Sequence, residues 1–457
     1  MIKKKSINII FGLFLLTHLL VWTLIPYISN QNLPLDTIEA IAWGGNLQWG
    51  FDKHPPLSAF FAEIFYKIFG SSDWAFYLLS QIFIVIGFYF VWKLSEEFFK
   101  NKVYCLMSVL LLESIYFFNF TSPEFNVNIC QIPFWSLTVY YCWKSINEKK
   151  TRNWIFLGLF SGLGFLSKYL FVYLLLGIKT LFFYIIKNKK KLDLKYFIAG
   201  LVLLLVITPH LIWLYQNDYS TIIYAFNRTG LEEANIYNHI SQPIIFILKQ
   251  IGILIPFFIL IFLITKSFKF KINFKDKKIL FLLAVNILPI VFIILTSLLT
   301  GAKIRTMWMT PFYLFFGVLF LYLLEKKINL KNLKSFVSVF LIFFTLSPLS
   351  YLYISISQTD KRTDYPGKEI AYLVQSKWNK NFSNEIKIVV GDEWFAGNLS
   401  YHLNSRPKWF KSIDGHLDKI STGGGVIYAG NPKILKSICP GVYGTIQPVG
   451  ICMIGVK

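Results

Sequence analysis

Apolar residues run along this chain in long blocks separated by short polar stretches rich in Lys. A bilayer core of about 30 Å needs about 20 apolar residues per helix. On that measure the blocks at 7–27, 74–92, 103–118, 127–143, 154–166, 169–186, 196–214, 243–265, 279–299, 310–324 and 335–355 predict eleven membrane spans, the fifth and tenth of them short. The first follows Lys3, Lys4 and Lys5. Its apolar run exceeds that of a cleaved signal peptide and no small-residue cleavage site follows it, so it is read as a span. From 356 to 457 the runs shorten and Gly, Asn, Asp and Ser return, which marks a small soluble domain after a membrane domain of residues 1–355. Ile386 to Val390 and Val426 to Ala429 read as strands, and the residues after Asp392 read as a helix to Leu403. The expected architecture is an α-helical polytopic membrane protein with a small C-terminal α/β domain.

Composition agrees with the pattern. Of 457 residues 55% are hydrophobic and only 15% charged, against about a quarter charged in soluble chains. The net charge of +22 would raise the question of nucleic acid in a soluble protein. Here its distribution answers the question. With the N-terminus inside, the N-terminal stretch and the five inner loops carry 25 Lys and Arg, while the five outer loops carry six: Lys53, Lys67, Lys168, Arg228, Lys303 and Arg305. That is the positive-inside asymmetry, and no nucleic-acid partner is expected. An odd number of spans then places the C-terminal domain outside, in the periplasm of a bacterial inner membrane. Five scattered cysteines make neither a disulfide scaffold nor a thiolate metal site. Cys439 and Cys452 share the outward domain and can pair in an oxidising compartment, although spacing does not establish the bond.

The outer stretches hold the candidate chemistry. Asp36 and Glu39 are three residues apart, so a short helix puts both carboxylates on one face while Ile38 and Ala42 lie along the membrane surface. The same spacing fits an N-cap Asp36 with Glu39 at the third helical position. Glu124, after Pro123, is either a site carboxylate or a helix-start residue meeting a helix dipole. Lys168 at an outer turn either snorkels to the interface or meets an anion. Arg228, Lys303 and Arg305 add three cations on a face that topology keeps poor in them, which calls for an anionic partner. Trp43 and Trp49 can stack on a sugar ring or a prenyl chain. Asp36, Glu39 and His54 are weak candidates for a divalent metal ion, since no recognised ligand spacing surrounds them. Gly423, Gly424 and Gly425 lack the Lys-Ser/Thr of a P-loop and read as a turn. His210 and His239 read as structural or interfacial.

Taken in order, these segments resemble a known family. Asp36-x-x-Glu39 with Lys53-His54-Pro55-Pro56-Leu57 resembles the first outer loop of class C glycosyltransferases of the family 39 and 83 type, which include protein O-mannosyltransferases and the aminoarabinose transferase of lipid A. Pro123 to Asn126, Gly162 to Tyr169 and Lys303 to Trp308 are similar to further segments of that family. Gly391 to Trp394 with Asn404 to Pro407 is similar to the tail of its bacterial members. The resemblance implies transfer of a sugar from a polyprenyl-phosphate donor to an envelope acceptor, lipid A or lipopolysaccharide, on the periplasmic face. It puts Asp36 on the first acid of the family's Asp-Glu pair, with Thr37 at the next position and Glu39 as a displaced second acid. Glu124 falls near the acid of the second outer loop, and His54 stands where relatives often carry Lys.

In this picture Asp36 is the general base, alone or assisted by a metal, and Glu39 and Glu124 complete the acidic group. Lys53, His54, Lys168, Arg228, Lys303 and Arg305 are the pool that meets the donor phosphate, with Lys53, Lys168 and Arg305 foremost. A protein O-mannosyltransferase, a polyprenyl-lipid flippase or transporter, and an assembly protein on an idle transferase fold are the rival readings. Transporters typically carry inverted repeats and ionisable residues at mid-membrane, whereas here the charges gather at one boundary and no repeat is found.

Overall fold

The computed structural model describes all residues except 1–3, 149, 190–193, 231–234 and 413–423. Lys3 and Gly423 therefore lie outside the described residues. The chain opens with α1 (Lys4–Ser29), followed by two short helices, α2 (Leu35–Gly44) and α3 (Leu57–Phe69), in the long loop before the next membrane helix. The membrane helices continue with α4 (Asp73–Phe98), α5 (Lys102–Leu110), α6 (Val127–Glu148), α7 (Thr151–Ser167), α8 (Val172–Lys189) and α9 (Lys195–Gln216). A short α10 (Ser220–Thr229) precedes α11 (Asn238–Thr265), α12 (Lys277–Thr300), α13 (Phe316–Leu323) and α14 (Leu333–Ser357). Their apolar faces pack into one core that runs from Ile7 to Tyr401.

Each of the eleven expected spans is helical, but not all are single rods. Among the described residues seven helices are long and apolar enough to cross a bilayer, or eight if the 3-10 segment Thr306–Tyr313 and α13, bent by 57°, form one span. The bend has a local cause. Pro311 sits inside the 3-10 segment and offers no N–H to an α-helical ladder. The block at 103–118 also breaks, because α5 passes into 3-10 turns around Glu113. That carboxylate is fully buried and accepts from His18 Nδ1 at 2.8 Å and Trp22 Nε1 at 3.3 Å. A buried carboxylate requires such partners, and the turn aims it at α1.

Beyond α14 the C-terminal domain carries α15 (Gly367–Asn381), α16 (Phe395–His402) and α17 (Pro432–Ile438) around a five-stranded sheet. The strands are β1 (Ile386–Gly391), β2 (Lys408–Phe410), β3 (Gly425–Gly430), β4 (Val442–Ile446) and β5 (Val449–Ile454), in the order β2-β1-β3-β5-β4. β1 pairs in parallel with β2 and β3, and β5 pairs antiparallel with β3 and β4. The two expected strands and the expected helix are present as β1, β3 and α16. The other three strands are additions, too short or too glycine-rich to stand out. Gly425 begins β3 rather than a phosphate loop, and Cys439 is bonded to Cys452.

This domain docks on the loop between α1 and α4 through α16, whose Gly397 would meet Ile38 and Ala42 of α2 if it carried a Cβ. Arg406 is the main polar tie. Its guanidinium donates to Ile41 O at 2.6 Å, reaches Glu63 Oε2 at 3.2 Å and lies 4.0 Å from the centre of the Tyr66 ring. Tyr401 donates to Asp73 at 2.6 Å, and Asn32 donates to Asn398 at 2.8 Å. Replacing Arg406 by Met strands Glu63 in a largely buried place. The expected loss is about 3 kcal/mol of docking stability, roughly a hundredfold more of the undocked form. Limited proteolysis of the purified protein measures it, and cleavage at the wild-type rate would refute the assignment.

Candidate active site around α2

The site is built on α2. Pro34, with extended backbone, precedes the helix and makes no side-chain cap, so Asp36 is the second helical residue and the capping box allowed by the spacing does not form. Glu39 instead binds Lys53. At the start of α2 the amide of Asp36 donates to Glu124 Oε1 at 3.1 Å. Glu124 thus does meet a helix N-terminus, but that of α2 and not of the helix following it. The loop holding Glu124 is pinned from both sides. Thr37 donates to Phe125 O at 3.1 Å, while Ser80 and Gln81 donate to Ser122 O at 2.5 and 3.1 Å.

Lys168 follows α7 with extended backbone and is only 6% exposed. Its ammonium donates to Asn128 at the start of α6 and lies 5.1 Å from the centre of the Trp308 ring. It is a buried residue and does not snorkel. Burial pushes its pKa down to about 7, against the pull of Asp36 and with the push of Arg305. The turn that brings Arg305 here needs Gly301, which ends α12 at φ 69°, donates to Ser297 O and lets Ser297 Oγ reach Ala302 O. Arg305 Nε is buried with no protein partner among the described residues. A guanidinium N–H left so in a polar site calls for a ligand or water.

Electrostatics bind these groups together. Burial raises the carboxyl of Asp36, opposed by the charges of Lys168, Lys53, Arg228 and Arg362. Burial and the neighbouring Asp36 raise Glu124 to about 8. Glu39 rises to about 7, again through burial, against the pull of Lys53. Burial works against the Lys53 ammonium, but its contacts with Glu39 and with Glu393 Oε1, the latter at 3.0 Å, outweigh that and raise its pKa. Burial and the charges of Lys168, Lys53 and Arg228 lower His54 to about 3, so it is a neutral imidazole at physiological pH. The resulting group can hold an anion with Lys168, Arg228 and Arg305 beside a carboxylate able to take a proton.

Asp36, Glu39, Glu124, Lys53, His54, Lys168, Arg228 and Arg305 therefore share one electrostatic neighbourhood. Lys303 is exposed and joins it only through its backbone, whose N–H donates to Thr229 O at 3.0 Å and ties the turn to α10. Trp43 is buried against Phe51, ring centres 5.3 Å apart, and Trp49 is 46% exposed beside Phe60. His210 bridges Trp49 O at 2.6 Å and the Tyr169 hydroxyl at 2.7 Å, and His239 meets Leu298 O at 2.9 Å. Among the described residues no three His, Cys, Asp or Glu side chains gather as a metal-ligand group, so Asp36, Glu39 and His54 do not converge in that way. Sequence reading missed Asn128, Trp308 and Glu393. Trp308 and Glu393 stand inside segments singled out for other residues, while Asn128 lies at the start of the apolar block at 127–143, where no local signal marks it.

Comparison with known proteins extends this geometry. Residues 53–213 match the family model described as dolichyl-phosphate-mannose-protein mannosyltransferase. No curated protein matches the chain in sequence. In structure it is similar to ArnT from Cupriavidus metallidurans bound to undecaprenyl phosphate, with a TM-score of 0.70 and 10% identity over 99% of this chain and 98% of that one. It is also similar to apo ArnT from the same organism, with a TM-score of 0.64 and 9% identity over 97% of each chain. The protein thus has the fold of ArnT over 99% of its length, and within that fold residues 53–213 match the mannosyltransferase family model.

Proposed function

We propose that this protein is an integral membrane glycosyltransferase that moves a sugar from a polyprenyl-phosphate donor to lipid A or lipopolysaccharide at the outer face of the inner membrane. The observation that carries this reading is the pairing of a buried carboxylate group around Asp36 with Lys168 and the unpartnered Nε of Arg305. The undecaprenyl phosphate bound by the similar ArnT supports a lipid phosphate as the anion. Lys168, Arg228 and Arg305 stabilise the charge that develops on the leaving phosphate. With a hydroxyl acceptor, Asp36 takes the proton as the bond to the anomeric carbon forms. With a phosphate acceptor, the nucleophile is already anionic and Asp36 orients the donor sugar. Neutral His54 serves as a hydrogen-bonding group, not as a cation. Glu39 holds Lys53 in place.

The family description over residues 53–213 favours a second reading, in which the acceptor is a protein hydroxyl. Mass spectrometry of lipid A, surface glycans and envelope proteins from cells with and without the protein separates the two. The expected result is one sugar fewer on lipid A or lipopolysaccharide when the protein is absent. A sugar lost from proteins alone selects the second reading, and an unchanged envelope overturns both.

A further inference from the structure

Where the loop between α1 and α4 meets the C-terminal domain there is a cavity of about 440 Å³, a size usual for small-molecule sites. Its lining is chemically unusual for this protein. Among the described residues it contains no Leu, Ile or Val; beside Phe51 and Phe410 it has the indoles of Trp43, Trp213 and Trp409 together with Asn46, Gln48 and Asn217. Asp52 and Glu393 add two carboxylates. The groove of about 950 Å³ beside α8 and α9 is the contrast, lined by Leu157, Leu175, Ile178, Phe182, Leu201 and Leu204 as a lipid chain would require.

Several contacts hold the cavity in shape before anything enters. Trp213 donates to Gln48 Oε1 at 3.2 Å and lies so close over Gly50 that a Cβ there would come within 2.3 Å of its ring. Trp409 donates to Gly391 O at 3.1 Å, and Asn46 donates to the Trp409 carbonyl. One tryptophan thus comes from the membrane helix α9 and the other from β2 of the soluble domain. Lys411 and Asp52 approach to 3.6 Å across the rim. Aromatic faces pack on the C–H faces of a pyranose, while carboxylates and amides bond its hydroxyls. A lipid chain would leave these polar groups unsatisfied.

The cavity is also joined to the site on α2. Glu393 lines it and binds Lys53, whose other partner is Glu39. We propose that this cavity is the acceptor subsite and that it seats a saccharide unit of the acceptor through Trp213, Trp409, Asp52 and Glu393. This rests on the transferase reading. A hydroxyl oxygen of the seated saccharide forms the bond to the anomeric carbon of the donor, and its proton passes to Asp36. The bond from that carbon to the phosphate oxygen breaks, and polyprenyl phosphate leaves with the electron pair.

Saturation-transfer NMR on the full-length protein in lipid nanodiscs tests the cavity, with methyl α-mannoside, methyl β-galactoside and N-acetylglucosamine as probes. At least one is expected to bind saturably through its ring C–H protons. Trp213→Ala is expected to weaken binding about tenfold, and Asp52→Asn about threefold. Trp213→Tyr keeps a stacking ring and is expected to retain binding within about threefold, which separates lost stacking from lost folding. Saturable binding by none of the three sugars overturns the proposal, as does wild-type affinity in both Trp213→Ala and Asp52→Asn. Intact sugar binding together with an envelope unchanged by loss of the protein removes the transferase reading and leaves the cavity standing as a glycan site.

Discussion

Asp36→Asn is expected to reduce sugar transfer by about 10²- to 10⁴-fold, the usual contribution of a positioned general base. Donor affinity should change far less, because the amide keeps the shape of the side chain and Lys168, Arg228 and Arg305 remain. The fold should also survive. The link from Glu124 to this position is made to the backbone N–H of residue 36 and not to its side chain. Single-turnover transfer with saturating donor measures the effect. A variant that folds and retains transfer within tenfold of wild type would remove Asp36 from the chemistry.

The second large effect concerns Lys168. Its ammonium is buried, donates to Asn128 and feels the charge of Asp36, and burial has brought its pKa down to about 7. The sign of the pH dependence follows. Below that pKa the lysine is charged and attracts the donor phosphate; above it the charge is lost, while a phosphodiester keeps its own. Donor affinity for the free enzyme should therefore fall by up to about tenfold per pH unit above about 7. Lys168→Gln should bind donor about 10- to 100-fold more weakly at pH 6, and its affinity should no longer vary between pH 6 and pH 8 on this account. An equally steep profile in Lys168→Gln would assign the titration to another group, with Glu39 and Glu124 next in range.

Helical blocks and the acidic and basic members of the site were legible because their signals are local. A run of apolar residues needs a bilayer, and a cation on the outer side of a positive-inside protein needs a reason. Contacts made over long sequence separations were not legible. Nothing around Glu124 announces that it will serve the first turn of α2, nor does anything around Glu113 announce that it will break its own span to reach His18 and Trp22. The capping box that the Asp36–Glu39 spacing allows is overridden by tertiary contacts, because Glu124 accepts from the Asp36 amide and Glu39 turns to Lys53. Small strands such as β2 and β4 depend on neighbours for their hydrogen bonds, so their existence is decided by the sheet and not by their own residues. The site lysines show the same limit. Lys168 and Lys303 look alike in sequence, yet one is enclosed and the other exposed, because only the first has an Asn and an indole waiting for it.

The double attachment of Lys53 has a temporal meaning. Glu39 leaves the ribosome more than three hundred residues before Glu393 does, and Ile41 equally long before Arg406. During synthesis the helices can insert while Lys53 holds only one of its two carboxylates and Glu63 waits for its guanidinium. The second carboxylate of Lys53 and the guanidinium of Arg406 and its contacts thus arrive only with the C-terminal domain. On the function proposed above, a nascent chain therefore lacks part of its site until that domain has been made.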